Sequence, residues 1–490
     1  MAYTTPAALP LPLLEPPVRR GMQKLDRTQF TQELNLLAAR VPAAKTTQFL
    51  KQDAKDYVLR MRGVGAVSPD ESDQYRRVLL RTGDRAQLPA HLLEILKTND
   101  AELVEQTVKF DYDYWTSDQI LQAVLPEELL DESPTAFTQV GHIAHLNLRD
   151  QYLPHRYLIG EVILDKNKSL RTVVNKLDTI DNVFRNFQME VLAGDPDFIV
   201  EMSEHDCKFR FDFSKVYWNS RLQTEHARLV ASFSPDDVVC DAFAGVGPFA
   251  IPAGKKGCGV LASDLNPASA AALGENAKLN KVEATVRASN EDARDFIRRS
   301  VLAAWNDPFP AYVPPLTARE RSRRAREARA AKPQDPSSSA LSSTSEPSQP
   351  APTSAPSASA SASAYPAPST SDEEAPKPSR RLINHYVMNL PASALTFLDA
   401  YRGLYRPLYS QYGDEARQAV AEAGLPVVHC YCFTKDVEGA EKDICARATE
   451  ALGFPVTPDL PDYALRFVRD VAPKKEMYCL EFRLTDEMVE

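Results

Sequence analysis

The stretch VVCDAFAGVGPFAIPAGKKGCGVLASDLNP, from Val238 to Pro267, constrains the fold more than any other part of the chain. It reads as a strand, a glycine turn, a helix and a second strand ending in an acid, which is the repeating unit of a doubly wound parallel sheet. Parallel neighbours require a crossover, so this segment alone commits part of the chain to an α/β fold. Gly245-Val246-Gly247-Pro248-Phe249-Ala250 satisfies G-x-G-x-x-G/A, and Asp264 lies at about the spacing of a ribose-binding acid. A dinucleotide-dependent dehydrogenase fits those glycines.

Asp241 fits a dehydrogenase poorly. It stands at the carboxyl end of the first strand, close before Gly245, where its charge would repel a pyrophosphate. A carboxylate there favours a ligand with no phosphate and a cationic amino-acid end, and S-adenosylmethionine carries both an ammonium and a sulfonium. On that reading Gly245 and Gly247 let backbone approach the ligand, and Asp264 accepts the ribose hydroxyls. Asp292, in SNEDARDF after a third strand, hydrogen-bonds the adenine amine. A generic sheet with acidic loop ends remains the plain alternative. In HYVMNLPASALTFLDAYRG an apolar strand ends at Asn389 and turns through Pro391 into a helix. The Asn389 amide suits a planar base edge; an ordinary helix cap is the other reading.

The formal charge of -10 excludes indiscriminate coating of nucleic acid but leaves room for local basic surface. RNFQMEVLAGDPDF and CKFRFDFSKVYWNSR set Arg185, Lys208, Arg210, Lys215 and Arg221 among aromatic residues, a mixture suited to phosphates and unstacked bases or simply to solvated strands. Seven scattered cysteines without a Cys-x-x-Cys pair point to reduced core thiols, with no disulfide framework and no metal site. No apolar run approaches membrane-spanning length, so no membrane partner is expected.

At 490 residues the chain has room for two or three ordinary cores. FTQELNLLAARV and LPAHLLEILK carry amphipathic helical spacing; HRYLIGEVILDKN, TVVNKL and DFIVEMSEHDCKFRFDF read as strands. These features divide the chain into a small mixed domain over 1–135, a middle α/β domain over 136–216 and a Rossmann-like domain over 217–490. A Ser/Ala/Pro-rich tract at about 317–380, with the basic leader TARERSRRAREARAAK, interrupts the last of these and lacks the apolar residues to order itself.

PPVRRGMQKLDRTQF, FDYDYWTSDQILQAVLPEEL, FTQVGHIAHLNLRDQYLPHRYLIGEVILDKN, VFRNFQMEVLAG, VYWNSRLQTEHARLV, DAFAGVGPFAIPA and MNLPASAL, taken together and in order, resemble the eukaryotic and archaeal tRNA (guanine-37 N1)-methyltransferases. The resemblance implies a class I methyltransferase domain behind an N-terminal domain that contacts the outer corner of tRNA. It implies S-adenosylmethionine contacts at His226, Asp264, Leu265, Asp292, Ala293 and Asn389. It sets Glu225 at guanine N1 as general base, Arg185 on O6, Tyr217 against the base, and Asn389 with Pro391 at the exocyclic amine. The chemistry agrees, because guanine N1 must lose a proton and the charge that moves to O6 needs a cation. A surface Glu, a phosphate-binding Arg and a core Tyr are the ordinary alternatives. A monomer in the cytoplasm is expected, with nucleus and mitochondrial matrix as further addresses. Two other readings stay open: the wybutosine-pathway aminocarboxypropyltransferase, which uses the same cofactor differently, and a non-catalytic tRNA-binding protein.

Overall fold

The computed structural model describes residues 14–51, 53–131, 134–177, 188–314 and 380–490, with 319, 320, 322, 323 and 326. Arg185 and nearly all of the Ser/Ala/Pro tract lie outside them. The fold is mixed α/β, and the chain divides into two compact units.

The first unit comprises Met1–Ala227, Gly245–Gly247 and Asp264–Asn280. It contains β1 (Gln32–Pro42), β2 (Val67–Pro69), β3 (Tyr75–Leu79) and β4 (Glu102–Phe110), in the order β2-β3-β1-β4, with α1 (Thr46–Lys51) and α2 (Ala90–Thr98). A second sheet, in sequence order, holds β5 (Thr138–Val140), β6 (Ile143–Leu146), β7 (Thr172–Leu177) and β8 (Gln188–Gly194). With it go α3 (Ser117–Val124) and α4 (Arg156–Lys166). The hairpin β9 (Ile199–Glu204) and β10 (Cys207–Asp212) follows, then α5 (Gln223–Ser232), whose N-terminal half belongs to this unit.

Two expectations from periodicity are overturned. FTQELNLLAARV forms strand β1, not a helix, because it pairs antiparallel with β3 on one side and β4 on the other. Its alternate residues enter two different cores, Leu36 and Ala38 in one, Leu37, Ala39 and Val41 in the other. A strand buried on both faces loses the period-two signal, and its helix-forming leucines and alanines then mislead. HRYLIGEVILDKN contains helix α4, not a strand. β6 and β7 run parallel, so a crossover must join them, and α4 provides it. TVVNKL, by contrast, is β7 residue for residue.

The second unit comprises Arg228–Ala244, Pro248–Ser263 and Lys281–Glu490. Its seven-stranded sheet has the order β13-β12-β11-β14-β15-β17-β16. The strands are β11 (Val238–Asp241), β12 (Gly259–Ser263), β13 (Val286–Ser289), β14 (His385–Met388), β15 (Val427–Thr434), β16 (Ala464–Ala472) and β17 (Lys475–Arg483). The first five in that order are parallel, β17 runs antiparallel to β15, and β16 pairs antiparallel with β17. Helices α6 (Ala250–Lys256) and α8 (Ala293–Asn306) belong to this unit; α7 (Pro267–Leu279) belongs to the first. From β11 the chain runs to β12 and β13 on one side and then returns to β14 and β15 on the other. The crevice at the carboxyl ends of β11 and β14 is therefore the topological switch point, where such sheets bind ligands. All seven cysteines are free thiols. No helix among the described residues is long and apolar enough to cross a membrane.

Gly160 shows how tightly α4 packs. A Cβ there would stand 2.6 Å from the Leu192 Cβ of β8. Gly160→Ala gains up to about 1 kcal/mol in helix propensity, but overpacking costs roughly 1–3 kcal/mol. Chemical denaturation should show net destabilisation.

Candidate active site

The glycine turn and the acid beyond it meet within the first unit. Gly245 (φ +54°) and Gly247 (φ +100°) occupy backbone conformations that favour glycine, and a Cβ on Gly245 would project into open space. The Gly245 N–H donates to Asp264 Oδ2 at 2.9 Å and the Asn266 N–H to Oδ1 at 2.9 Å. Burial raises the Asp264 pKa above the usual aspartate value, against the lowering effect of those two backbone donors. Leu265 is 47% exposed beside it. An oriented carboxylate, an apolar side chain and an open backbone turn fit the ribose and adenine of an adenosyl group.

The same unit holds Tyr217, Glu225 and His226. Tyr217 is 54% exposed, and its hydroxyl accepts from Asn219 Nδ2 at 3.3 Å. Glu225 is half-buried in the first turn of α5, where the helix dipole favours a negative charge. His226 is buried and its Nδ1 lies 2.6 Å from Glu204 Oε1, also buried.

The remaining candidates belong to the second unit. Asp241 closes β11, fully buried, and one carboxylate oxygen accepts weakly from the Phe243 N–H at 3.4 Å. It pairs with Val387 across β11 and β14, so Asn389, two residues on, stands at the same crevice. Asn389 Oδ1 is shielded from solvent and has no hydrogen-bond partner among the described residues. Pro391 O accepts from the Phe433 N–H at 3.0 Å. Asp292 is the N-cap of α8, accepting from the Arg294 N–H at 2.8 Å, and buried Ala293 opens that helix. It follows β13, two strands away from β11.

His429, Cys479 and Glu481 also converge, all buried. Glu481 is already engaged by Arg228 at 2.9 Å and Arg466 at 2.8 Å. Burial pushes its pKa up, but His429 and the two guanidiniums outweigh that and hold it at about 2. Two cations on the same carboxylate oppose a third.

Residues 117–197 match the family described as the TYW2 N-terminal domain, and residues 200–304 the TRM5/TYW2 methyltransferase domain. A protein of Coprinopsis cinerea named tRNA (guanine(37)-N(1))-methyltransferase is 46% identical over 482 residues, covering 96% of this chain and 96% of its own. The chain belongs to the tRNA (guanine(37)-N(1))-methyltransferase family. A relative of the same name from Schizosaccharomyces pombe is 42% identical over 475 residues, covering 96% of this chain and 95% of its own. The fold is similar to that of aTrm5 in its solved complex with tRNALeu, with a TM-score of 0.55 and 19% identity over 92% of this chain and 100% of that one. Trm5b from Pyrococcus abyssi gives a TM-score of 0.52 at 20% identity, over 91% and 99%.

Sequence reasoning on this member of the family missed Glu204, the partner of His226, and Asn276, whose side chain bonds the Arg210 N–H and the Val246 carbonyl. Nothing in the spacing of SEHD marks Glu204 as the partner of His226. Asn276 did leave a signal, since asparagines at 276 and 280 sit four apart in a helical stretch where asparagine is a poor choice. The buried Glu204–His226 contact predicts strong coupling. Glu204→Ala should cost roughly 1–3 kcal/mol, and adding His226→Ala should cost clearly less than the two single effects combined. A double-mutant cycle by denaturant unfolding measures the difference.

Proposed function

We propose that the chain transfers a methyl group from S-adenosylmethionine to N1 of guanosine 37 in tRNA. The observation that carries the reading is similarity to proteins of that name across 96% of the chain. The arrangement of Gly245, Asp264 and Leu265 supports the cofactor assignment independently.

S-adenosylmethionine, when bound, supplies an electrophilic methyl group. Asp264 would receive the ribose hydroxyls and Leu265 would lie against the adenine; Asp292 would serve its amine. Tyr217 offers an exposed ring to the guanine displaced from the anticodon-loop stack, offsetting part of the unstacking cost. Glu225 would take the N1 proton as the N1–methyl bond forms and the methyl–sulfur bond breaks, the neutral thioether being the leaving group, and Arg185 would stabilise negative charge on O6. Asn389 Oδ1, a shielded acceptor, receives an N–H of the guanine exocyclic amine. His226 lies beside Glu225, and its bond to Glu204 fixes the ring.

The matching domain descriptions also name TYW2, which keeps aminocarboxypropyl transfer as the second reading. The mass of the modified nucleoside separates the two products.

Asp264→Ala should weaken S-adenosylmethionine binding by roughly 1.5–3 kcal/mol in calorimetry, with no binding of NAD. The wild-type affinity should also fall on acidification. Because the Asp264 pKa is raised, its carboxylate protonates at a higher pH than an ordinary aspartate. Folding stability from this group moves the other way, being retained at low pH and lost as pH rises through the raised pKa.

Glu225→Gln keeps the hydrogen-bonding outline and removes the base. Single-turnover methylation should slow on the order of 10²–10⁴-fold with cofactor affinity little changed, and higher pH should restore part of the rate. A wild-type rate would make Glu225 structural.

A further inference from the structure

Helix α7 carries three asparagines that stitch it to the backbone of the first unit. Asn266, its N-cap, donates from Nδ2 to the Lys215 carbonyl at 2.7 Å. Asn276, fully buried, accepts from the Arg210 N–H at 2.8 Å and donates from Nδ2 to the Val246 carbonyl at 3.0 Å. Asn280 accepts from the Lys208 N–H at 2.8 Å and returns Nδ2 to the Lys208 carbonyl at 2.7 Å.

Among the described residues, strand β10 pairs with β9 along one edge and with no strand along the other. Along the other, alternate residues 208 and 210 present their N–H groups in the same direction, and asparagines four apart on one helix face answer them. The helix takes the place of a third strand. A buried amide inside a helix is costly unless both its ends are bonded, and at Asn276, in the last turn of α7, both are.

The second of those bonds reaches the glycine turn. The Val246–Gly247 peptide plane adjoins a residue at φ +100°, and glycine lets such a plane rotate at little cost. Asp264 fixes the Gly245 N–H on one side of Val246; Asn276 fixes the Val246 carbonyl on the other. Without the second bond the turn keeps one restraint and regains a soft torsion. Because the same amide also receives the Arg210 N–H, the shape of the turn is tied to β10, the strand that leads to Tyr217.

We propose that Asn276 is a positioning residue for methyl transfer, holding the glycine turn in its cofactor-receiving shape and tying that shape to strand β10. The proposal rests on the reading above, in which the turn receives S-adenosylmethionine. Asn280 serves as the control, because it makes the same kind of bond to the same strand but bonds Lys208 instead of the turn.

The test uses the full chain, measuring thermal unfolding and the S-adenosylmethionine dissociation constant by calorimetry for wild type, Asn276→Ala, Asn276→Asp and Asn280→Ala. All three variants should lose stability. Asn280→Ala should keep the wild-type dissociation constant, whereas Asn276→Ala should raise it on the order of tenfold. Asn276→Asp, nearly the same shape, still accepts from Arg210 but at neutral pH cannot donate to Val246. It should also bind weakly, and it carries the test if the alanine variant does not fold. A wild-type dissociation constant in both Asn276 variants, or equal weakening in Asn280→Ala, overturns the proposal. Failure of the wild type itself to bind S-adenosylmethionine would instead overturn the functional reading beneath it.

Discussion

A loop built from Gly245, Val246 and Gly247 is useful only if something decides which way its peptide groups point. Glycine at positive φ makes the turn possible and also leaves it soft. The Gly245 N–H bond to Asp264 settles half of that problem, and in doing so it orients the carboxylate. The Asn266 N–H holds the other carboxylate oxygen, and the Asn266 side chain then caps α7 by accepting from Ala268 at 3.0 Å. One acid thus sets the turn before it and the helix after it. Its immediate neighbour in the chain is Ser263, the last residue of β12.

The parts of the fold that were legible in the sequence are those where local pattern and tertiary role agree. The strand, turn, helix and strand from Val238 to Ser263 appear in the expected order, since a parallel sheet buries both faces of its strands and leaves short apolar runs broken by a glycine turn. β1 and α4 were misread for complementary reasons. β1 is rich in leucine and alanine yet is pinned between two partners, while α4 is rich in β-branched residues yet must cross between parallel strands. Neither partner is visible from inside the segment, so periodicity had nothing to correct it.

The candidate site divides along the same line. Asp241, Asp264 and Asn389 could be singled out from their places at strand ends, where ligands of such sheets bind. Glu225 and Tyr217 could not. One reads as an ordinary surface glutamate and the other as an ordinary core tyrosine, and only the resemblance of the surrounding motifs singled them out. Asp292 was read as an adenine partner, and its capping of α8 went unnoticed, although the two uses are compatible because a cap occupies one carboxylate oxygen. Glu204 and Asn276 bond to other parts of the chain, and of the two only Asn276 left a trace in the spacing.

The direction of the pKa shifts separates the acids by task. Asp70 and Glu481 are clamped by arginines and both titrate at about 2. Such carboxylates serve the fold, and their guanidinium partners would repel a cationic ligand. Asp264 is oriented by two backbone N–H groups, and burial dominates, so its pKa rises. Backbone donors orient a carboxylate without cancelling its charge. The arrangement costs some stability at neutral pH, as a raised carboxylate pKa must, and it leaves the carboxylate without a cationic partner next to an exposed leucine. An arginine in place of those N–H donors would make a firmer fold and cancel the charge.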